Sequence, residues 1–314
     1  MTFSTSIHDP IFRTYAAITA AVLILGGFLL AMLSRSSKKP LGSVWATYRG
    51  WLIMAPTVLI AVALGRTVFI VFVTLLSLKA FSEFARATGL ARDLVITAFI
   101  AIAIGVVGGL SWVQDPRLNQ PGWYGLFMTL PVWVTAIVVT IPILRNNPEG
   151  QLRSVSLAIL GFLYFGWMFG HLGFLANSKH AYGYVLFLLF ATSICDVAAF
   201  TFGKLLNGPK LCSRISPNKT WGGSVGAFAV GMILPWVLGF SFPHFSPLAK
   251  VLTGIIIGIG GQLGDLTISF IKRDLGVKDM GSLIPGHGGI LDRVDSVMYA
   301  APLFFHMARW FYGN

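Results

Sequence analysis

Carboxylates, cationic side chains and glycines crowd into one stretch of an otherwise apolar chain, from Asp265 to Asp295. Five of the eleven acidic residues lie there, together with Lys272, Arg273, Lys278 and Arg293, and with five glycines and Pro285 between Gly276 and Gly289. Asp265, Ser269 and Lys272 fall at i, i+4 and i+7, which on a helix sets a carboxylate, a hydroxyl and an ammonium along one stripe. The glycines and proline that follow cannot prolong that helix and predict a tight, shaped loop. Asp292 and Asp295, at i and i+3 just before the last apolar run, predict two carboxylates on one face at the start of the next helix. Acids thus enter from both ends of the loop. Carboxylates take a hard cation such as Mg2+, while Lys, Arg and glycine N–H groups receive phosphate oxygens. On composition alone, a solvated interhelical loop of mixed charge is the stronger reading.

The order of the residues shifts that balance. Ser269-x-x-Lys272-Arg273, then Lys278-Asp279-x-Gly281, then Pro285-x-His287-Gly288-Gly289-x-x-Asp292-Arg293-x-Asp295 resembles the signature of the phosphatidate cytidylyltransferases, also called CDP-diacylglycerol synthases. More than ten fixed residues across 27 positions agree, which is far more specific than a lone glycine motif. The resemblance implies an integral membrane enzyme that joins CTP to phosphatidate and yields CDP-diacylglycerol and pyrophosphate. It implies catalytic work for Asp265, Ser269, Lys272, Arg273, Asp292 and Asp295, and metal binding by Asp265, Asp292 and Asp196. It implies nucleotide contacts for Lys219, Lys278, Asp279, His287, Gly288, Gly289 and Arg293. The expected cofactor is Mg2+, with a second, monovalent cation left open. The expected partners are CTP, phosphatidate or a related anionic lipid, and the bilayer; a homodimer is left open.

A second region agrees with the same family. Asp196-x-x-Ala199-Phe200-x-x-Gly203 and Ser216-Pro217-x-Lys219-Thr220-Trp221 resemble it, with Lys219 placed to meet CTP phosphates. Two departures stand out: the family usually has tyrosine where Phe200 stands, and a glutamate where Gly222 follows Trp221. The missing carboxylate puts in doubt any role in orienting Lys219 and leaves open a divergent branch. Ser82-Glu83-Phe84-Ala85-Arg86 resembles a Glu-Phe-x-Arg feature of the family; a helix end at the membrane surface explains it as well as a substrate role does.

The elements that must position these residues are apolar. Of 314 residues 55% are hydrophobic and 11% charged, with a mean hydropathy of +0.77, against about 25% charged in soluble domains. The net charge of +12 is scattered between apolar runs and forms no basic stripe, so nucleic acid is not expected as a partner. Cys195 and Cys212 offer no disulfide framework and no metal-ligand pattern.

Ten apolar runs are counted: 14–33, 51–65, 67–80, 94–112, 124–144, 155–176, 182–203, 223–240, 248–271 and 296–312. Most reach the roughly 20 residues that span hydrocarbon; the second and third are short, and read as a pair split at Gly65-Arg66 or as one re-entrant feature. With the N-terminus outside, 17 of 23 basic residues fall on inner loops, which supports ten crossings with the Asp265–Asp295 loop facing the cytoplasm. The expectation is an all-α, multi-pass protein of a cell inner membrane, of about ten transmembrane helices with cytoplasmic catalytic loops. Its parts would be an anchor helix and basic loop (1–50), N-terminal membrane helices (51–180) and a catalytic membrane domain (181–314). The first run carries its charge after the apolar stretch, Arg35 to Lys39, so it reads as a retained anchor rather than a signal peptide.

Asp196 is an ionisable group inside an apolar run, which is costly and marks a polar interior. It precedes Lys204 by eight residues and Asp265 precedes Lys272 by seven, which puts both carboxylates roughly 10 to 12 Å below basic helix ends and predicts a shared cavity. His171, alone among apolar residues, reads as an interior hydrogen-bonded histidine. Gly166-x-x-x-Gly170 and Gly254-x-x-x-Gly258 read as close helix packing rather than nucleotide loops. Two other functions stay open: a CTP-dependent kinase of a polyprenol-like lipid, and a transporter with Asp196 and Asp265 at mid-membrane.

Overall fold

Each of the ten apolar runs coincides with a helical segment in the computed structural model, which describes residue 1, residues 3–36, 42–281 and 289–313. A short helix α1 (Phe3–His8) precedes α2 (Pro10–Ser36), α3 (Gly42–Ala63), α4 (Arg66–Thr88), α5 (Leu94–Trp112) and α6 (Tyr124–Leu144). Then α7 (Gln151–Gly161) runs through a π-helical stretch, Phe162–Met168, into α8 (Phe169–Leu175), and α9 spans Ala181–Leu206. A small antiparallel hairpin, β1 (Lys210–Cys212) and β2 (Ser216–Thr220), leads into α10 (Trp221–Val237). Next, α11 (Pro247–Ile255) continues through a second π stretch, Ile256–Gly260, into α12 (Gly261–Asp274), and α13 is Leu291–Tyr312.

Eight helices among the described residues are long and apolar enough to cross a membrane. The protein is a polytopic, helical membrane protein. Trp221–Val237 is a shorter apolar helix, and Leu291–Tyr312, which opens on Asp292, Arg293 and Asp295, is not among the eight. The two short runs prove to be full helices: α3 starts in the polar segment before Trp51, and α4 extends through Glu83 to Thr88. They are separate, broken at Gly65, whose φ of 101° suits glycine, and α4 ends on Gly89 in the left-handed region.

The helix starts follow side-chain chemistry. Asp93, Thr220 and Ser246 cap α5, α10 and α11 by accepting from the N–H groups of Ile96, Gly223 and Ala249. Packing follows glycine. Gly166 and Gly170 lie against Ile104 and Val107 of α5. A Cβ on Gly231 would stand 2.7 Å from the Cα of Gly258, and one on Gly254 2.8 Å from the Cα of Met232, so α10 and the α11–α12 helix meet backbone to backbone. His171 is buried and donates through Nδ1 to the carbonyl of Trp167 at 2.8 Å, with its Nε2 3.2 Å from Nε2 of His306.

Candidate active site

Helix α12 carries the predicted stripe. Ser269 Oγ donates to Asp265 Oδ1 at 3.2 Å one turn below it, and Lys272 follows on the same face. Across from them stands the hairpin between α9 and α10. Its Lys219, on β2, forms an ion pair with Asp265 Oδ2 at 2.8 Å. The hairpin is held at both ends: Trp221 N–H donates to the Pro209 carbonyl at 3.0 Å, and Thr220 caps α10. Arg273 does not join the acids. Its Nε donates to the carbonyl of Ile215 at 3.3 Å, tying the end of α12 to the hairpin, and Nη1 to that of Val277 at 3.4 Å.

The start of α13 brings the second pair of acids. Lys272 Nζ donates to Asp292 Oδ1 at 2.8 Å, and Asp292 Oδ2 accepts from the N–H groups of Met280 at 3.3 Å and Gly289 at 3.0 Å. Asp292 thus gathers both ends of the signature loop. Asp295 is buried, its Oδ1 accepting from Ser296 N–H at 2.8 Å. Ser296 Oγ reaches Asp196 of α9, 2.9 Å from Oδ2 and 3.2 Å from Oδ1. Asp265 lies near enough for its charge to reach both Asp196 and Asp295, with Lys219 and Arg293 beside Asp196 and Lys272 beside Asp295. Close approach of α12 and α13 makes this geometry attainable: a Cβ on Gly264 would collide with the carbonyl oxygen of Asp295.

Asp196, Lys219, Asp265, Ser269, Lys272, Gly289, Asp292, Arg293 and Asp295 are therefore one neighbourhood built from α9, the hairpin, α12 and α13. Lys278 and Asp279 lie exposed on the loop. Pro285, His287 and Gly288 lie outside the described residues. The two departures have simple settings: Phe200 faces outward with Lys204 Nζ 4.0 Å from its ring centroid, and a Cβ on Gly222 would meet Leu206 at 3.0 Å.

Two residues stand out only in the structure. Ser296 was readable as i+4 from Asp292, yet its partner Asp196 is 100 positions away. Glu83, weighed above as a surface helix end, is buried, and its Oε2 accepts from the N–H of Leu291 at 3.1 Å. Nothing local announces that contact.

The four aspartates offer oxygen ligands suited to a hard divalent cation, and Mg2+ needs only one or two protein carboxylates beside phosphate oxygens. Asp265 with Asp196 or Asp292 is a chemically sufficient set. Asp265 is half-buried and more accessible than Asp292, its side chain 32% exposed against 4%, while Asp196 is exposed and Asp295 buried. Among the described residues no three His, Cys, Asp or Glu side chains are gathered closely enough to hold a metal on their own. Here lysines neutralise two of the carboxylates.

The chain is similar to known proteins over most of its length. It is 37% identical over 186 residues to "Uncharacterized protein YnbB" of Escherichia coli (strain K12), a match covering 58% of this chain and 62% of that protein. It is 31% identical over 245 residues to "Phosphatidate cytidylyltransferase" of Staphylococcus haemolyticus (strain JCSC1435), covering 76% of this chain and 89% of that protein. A protein of the same name from Brucella suis biovar 1 (strain 1330) is 32% identical over 229 residues, covering 65% of this chain and 81% of that protein. Residues 45–311 match the model of the cytidylyltransferase family, a span that takes in every acid and lysine of the site. Matched by that model over most of its length, this chain belongs to the cytidylyltransferase family.

Proposed function

We propose that the protein is a phosphatidate cytidylyltransferase, transferring CMP from CTP to phosphatidate with release of pyrophosphate. The observation that carries this reading is the Lys219 to Asp265 ion pair, which joins the two motif regions into one site where phosphate-binding cations face carboxylates. In the reaction, an oxygen of the phosphatidate phosphate attacks the α-phosphorus of CTP; the new P–O bond forms as the bond to the bridging oxygen of pyrophosphate breaks. A phosphomonoester has a second pKa of about 6 and is largely dianionic near pH 7, so no strong general base is required. Positioning and charge neutralisation carry the rate.

The residues divide that work. Asp265, with Asp196 or Asp292, would hold a divalent cation, taken as Mg2+. When bound, that ion supplies charge stabilisation on phosphate oxygens. Lys219 and Lys272, paired with Asp265 and Asp292 here, turn their ammonium groups to phosphates when the carboxylates are engaged otherwise. Ser269 keeps Asp265 oriented, and Ser296 keeps Asp196 oriented. Lys278 and Arg293, both exposed, extend the cationic surface, and His287, Gly288 and Gly289 are the proposed nucleotide contacts of the signature. The lipid tails stay in the bilayer while the head group enters near Asp196. The site faces the cytoplasm of a cell inner membrane, where CTP is found.

Purified protein with phosphatidate, Mg2+ and labelled CTP should place label in a chloroform-soluble product, and Asp265→Ala should abolish it. Label that stays in the aqueous phase with wild-type protein, across several anionic lipids, refutes the reading.

A further inference from the structure

We propose that Glu83 is a positioning residue of this site: from the end of α4 its carboxylate holds both ends of the signature loop and the first turn of α13. The helices of the N-terminal half thereby set the register of Asp292 and Lys272. Four observations converge on this. Glu83 is 2% exposed, in a buried run with Phe81, Phe84 and Ala85, so its carboxylate faces the protein. Its Oε2 accepts from Leu291 N–H, the first residue of α13, whose cap position is Ile290, a side chain with no acceptor. The carboxylate does for α13 what a capping side chain would, where the helix dipole favours a negative group.

Gly281 and Gly289, which flank residues 282–288, approach the same group. A Cβ on Gly281 would lie 2.8 Å from Cδ and Oε1 of Glu83, and one on Gly289 would collide with Oε2. Both glycines are therefore required by the carboxylate between them. Asp292 grips the same backbone, accepting from Met280 and Gly289 N–H while it holds Lys272. Glu83 and Asp292 thus clamp one segment together, and Glu83 acts on phosphate chemistry only through Asp292 and the loop. A side chain that merely filled space there would not need an acceptor at Leu291.

The kinetic part of this inference rests on the cytidylyltransferase reading; the geometric part does not, so both are measured. Hydrogen exchange on full-length protein in detergent should show the Leu291 amide opening about tenfold faster in Glu83→Ala, with α5 and α6 unchanged. Glu83→Gln, which keeps an acceptor oxygen, should stay within about threefold of wild type. In turnover assays Glu83→Ala should raise KM for CTP about tenfold, as expected for loss of a charge-assisted hydrogen bond that fixes the start of α13. KM for phosphatidate should stay within about twofold, and Glu83→Gln should restore most of the CTP affinity. If Glu83→Ala does not fold, Gly281→Ala, whose methyl presses on the carboxylate, should raise KM for CTP in the same way. Unchanged exchange at Leu291 in Glu83→Ala overturns the proposal, as does an equal rise in both KM values. Wild-type protein inactive on CTP would remove the reaction and leave the exchange result to judge Glu83.

Discussion

Removing the ammonium of Lys272 should destabilise the fold and not only the reaction. Its Nζ lies 2.8 Å from Asp292 Oδ1, and the side chains are 13% and 4% exposed, so water can replace neither partner readily. Breaking a buried pair by deleting one member costs about 3 to 5 kcal/mol. Asp292 Oδ2 keeps its two backbone N–H donors in Lys272→Met, which places the loss near the lower end, about 3 kcal/mol. Asp292→Asn keeps one acceptor oxygen and strands a somewhat more accessible ammonium, for about 2 kcal/mol. Because each single change already breaks the pair, the double variant should lose about 3 kcal/mol rather than about 5, a coupling of about 2 kcal/mol. Equilibrium denaturation in mixed micelles, followed by tryptophan fluorescence, measures all three. Losses that add to within about 0.5 kcal/mol would refute the pair as a coupled unit.

Other perturbations probe the surroundings. Ser296→Ala removes the hydroxyl that holds Asp196 and should lower kcat about tenfold, since a hydrogen bond to a charged group is worth about 1.5 to 3 kcal/mol; steady-state assays read it. Gly264→Ala drives a methyl into the Asp295 carbonyl, prises α12 from α13, and should destabilise by about 1 to 3 kcal/mol while eliminating activity; denaturation and turnover are compared on one preparation. Arg145 donates two hydrogen bonds to Asp93 at 2.6 and 2.9 Å and holds that carboxyl below its usual range. A carboxyl whose folded pKa is depressed contributes stability above its unfolded value, about 3.9, that is lost as pH falls through the folded one. Arg145→Ala should therefore lower the unfolding temperature at pH 7 and have little effect near pH 2, read in thermal scans across pH.

What sequence could show followed from local rules. The spacing of Asp265, Ser269 and Lys272 places them on one stripe because helix geometry is fixed, and the Ser269 to Asp265 bond confirms that stripe. The glycine pairs at 166 and 170 and at 254 and 258 read correctly as contact surfaces because a missing Cβ has one main use between membrane helices. Long-range partners were not readable. Leu291 lies 208 positions from Glu83, and no local pattern encodes a contact that depends on where α4 ends relative to α13. The hairpin escaped for another reason: Lys210–Cys212 and Ser216–Thr220 are short and polar and include Pro217, so they show none of the alternation that marks a half-buried strand. Helices α3 and α4 outran their apolar runs because helical backbone continues into polar residues, here Tyr48 and Arg49, then Glu83 and Arg86, which hydropathy alone excludes.

The reaction itself is tested most directly by following the two ends of the triphosphate. Purified protein is given phosphatidate, Mg2+ and CTP labelled either at the α- or at the γ-phosphorus. Transfer of CMP predicts α label in the lipid and γ label in pyrophosphate. Gamma label in the lipid with release of CDP would mean phosphoryl transfer, and would contradict the cytidylyltransferase chemistry assigned to the Asp196, Lys219, Asp265 and Asp292 neighbourhood.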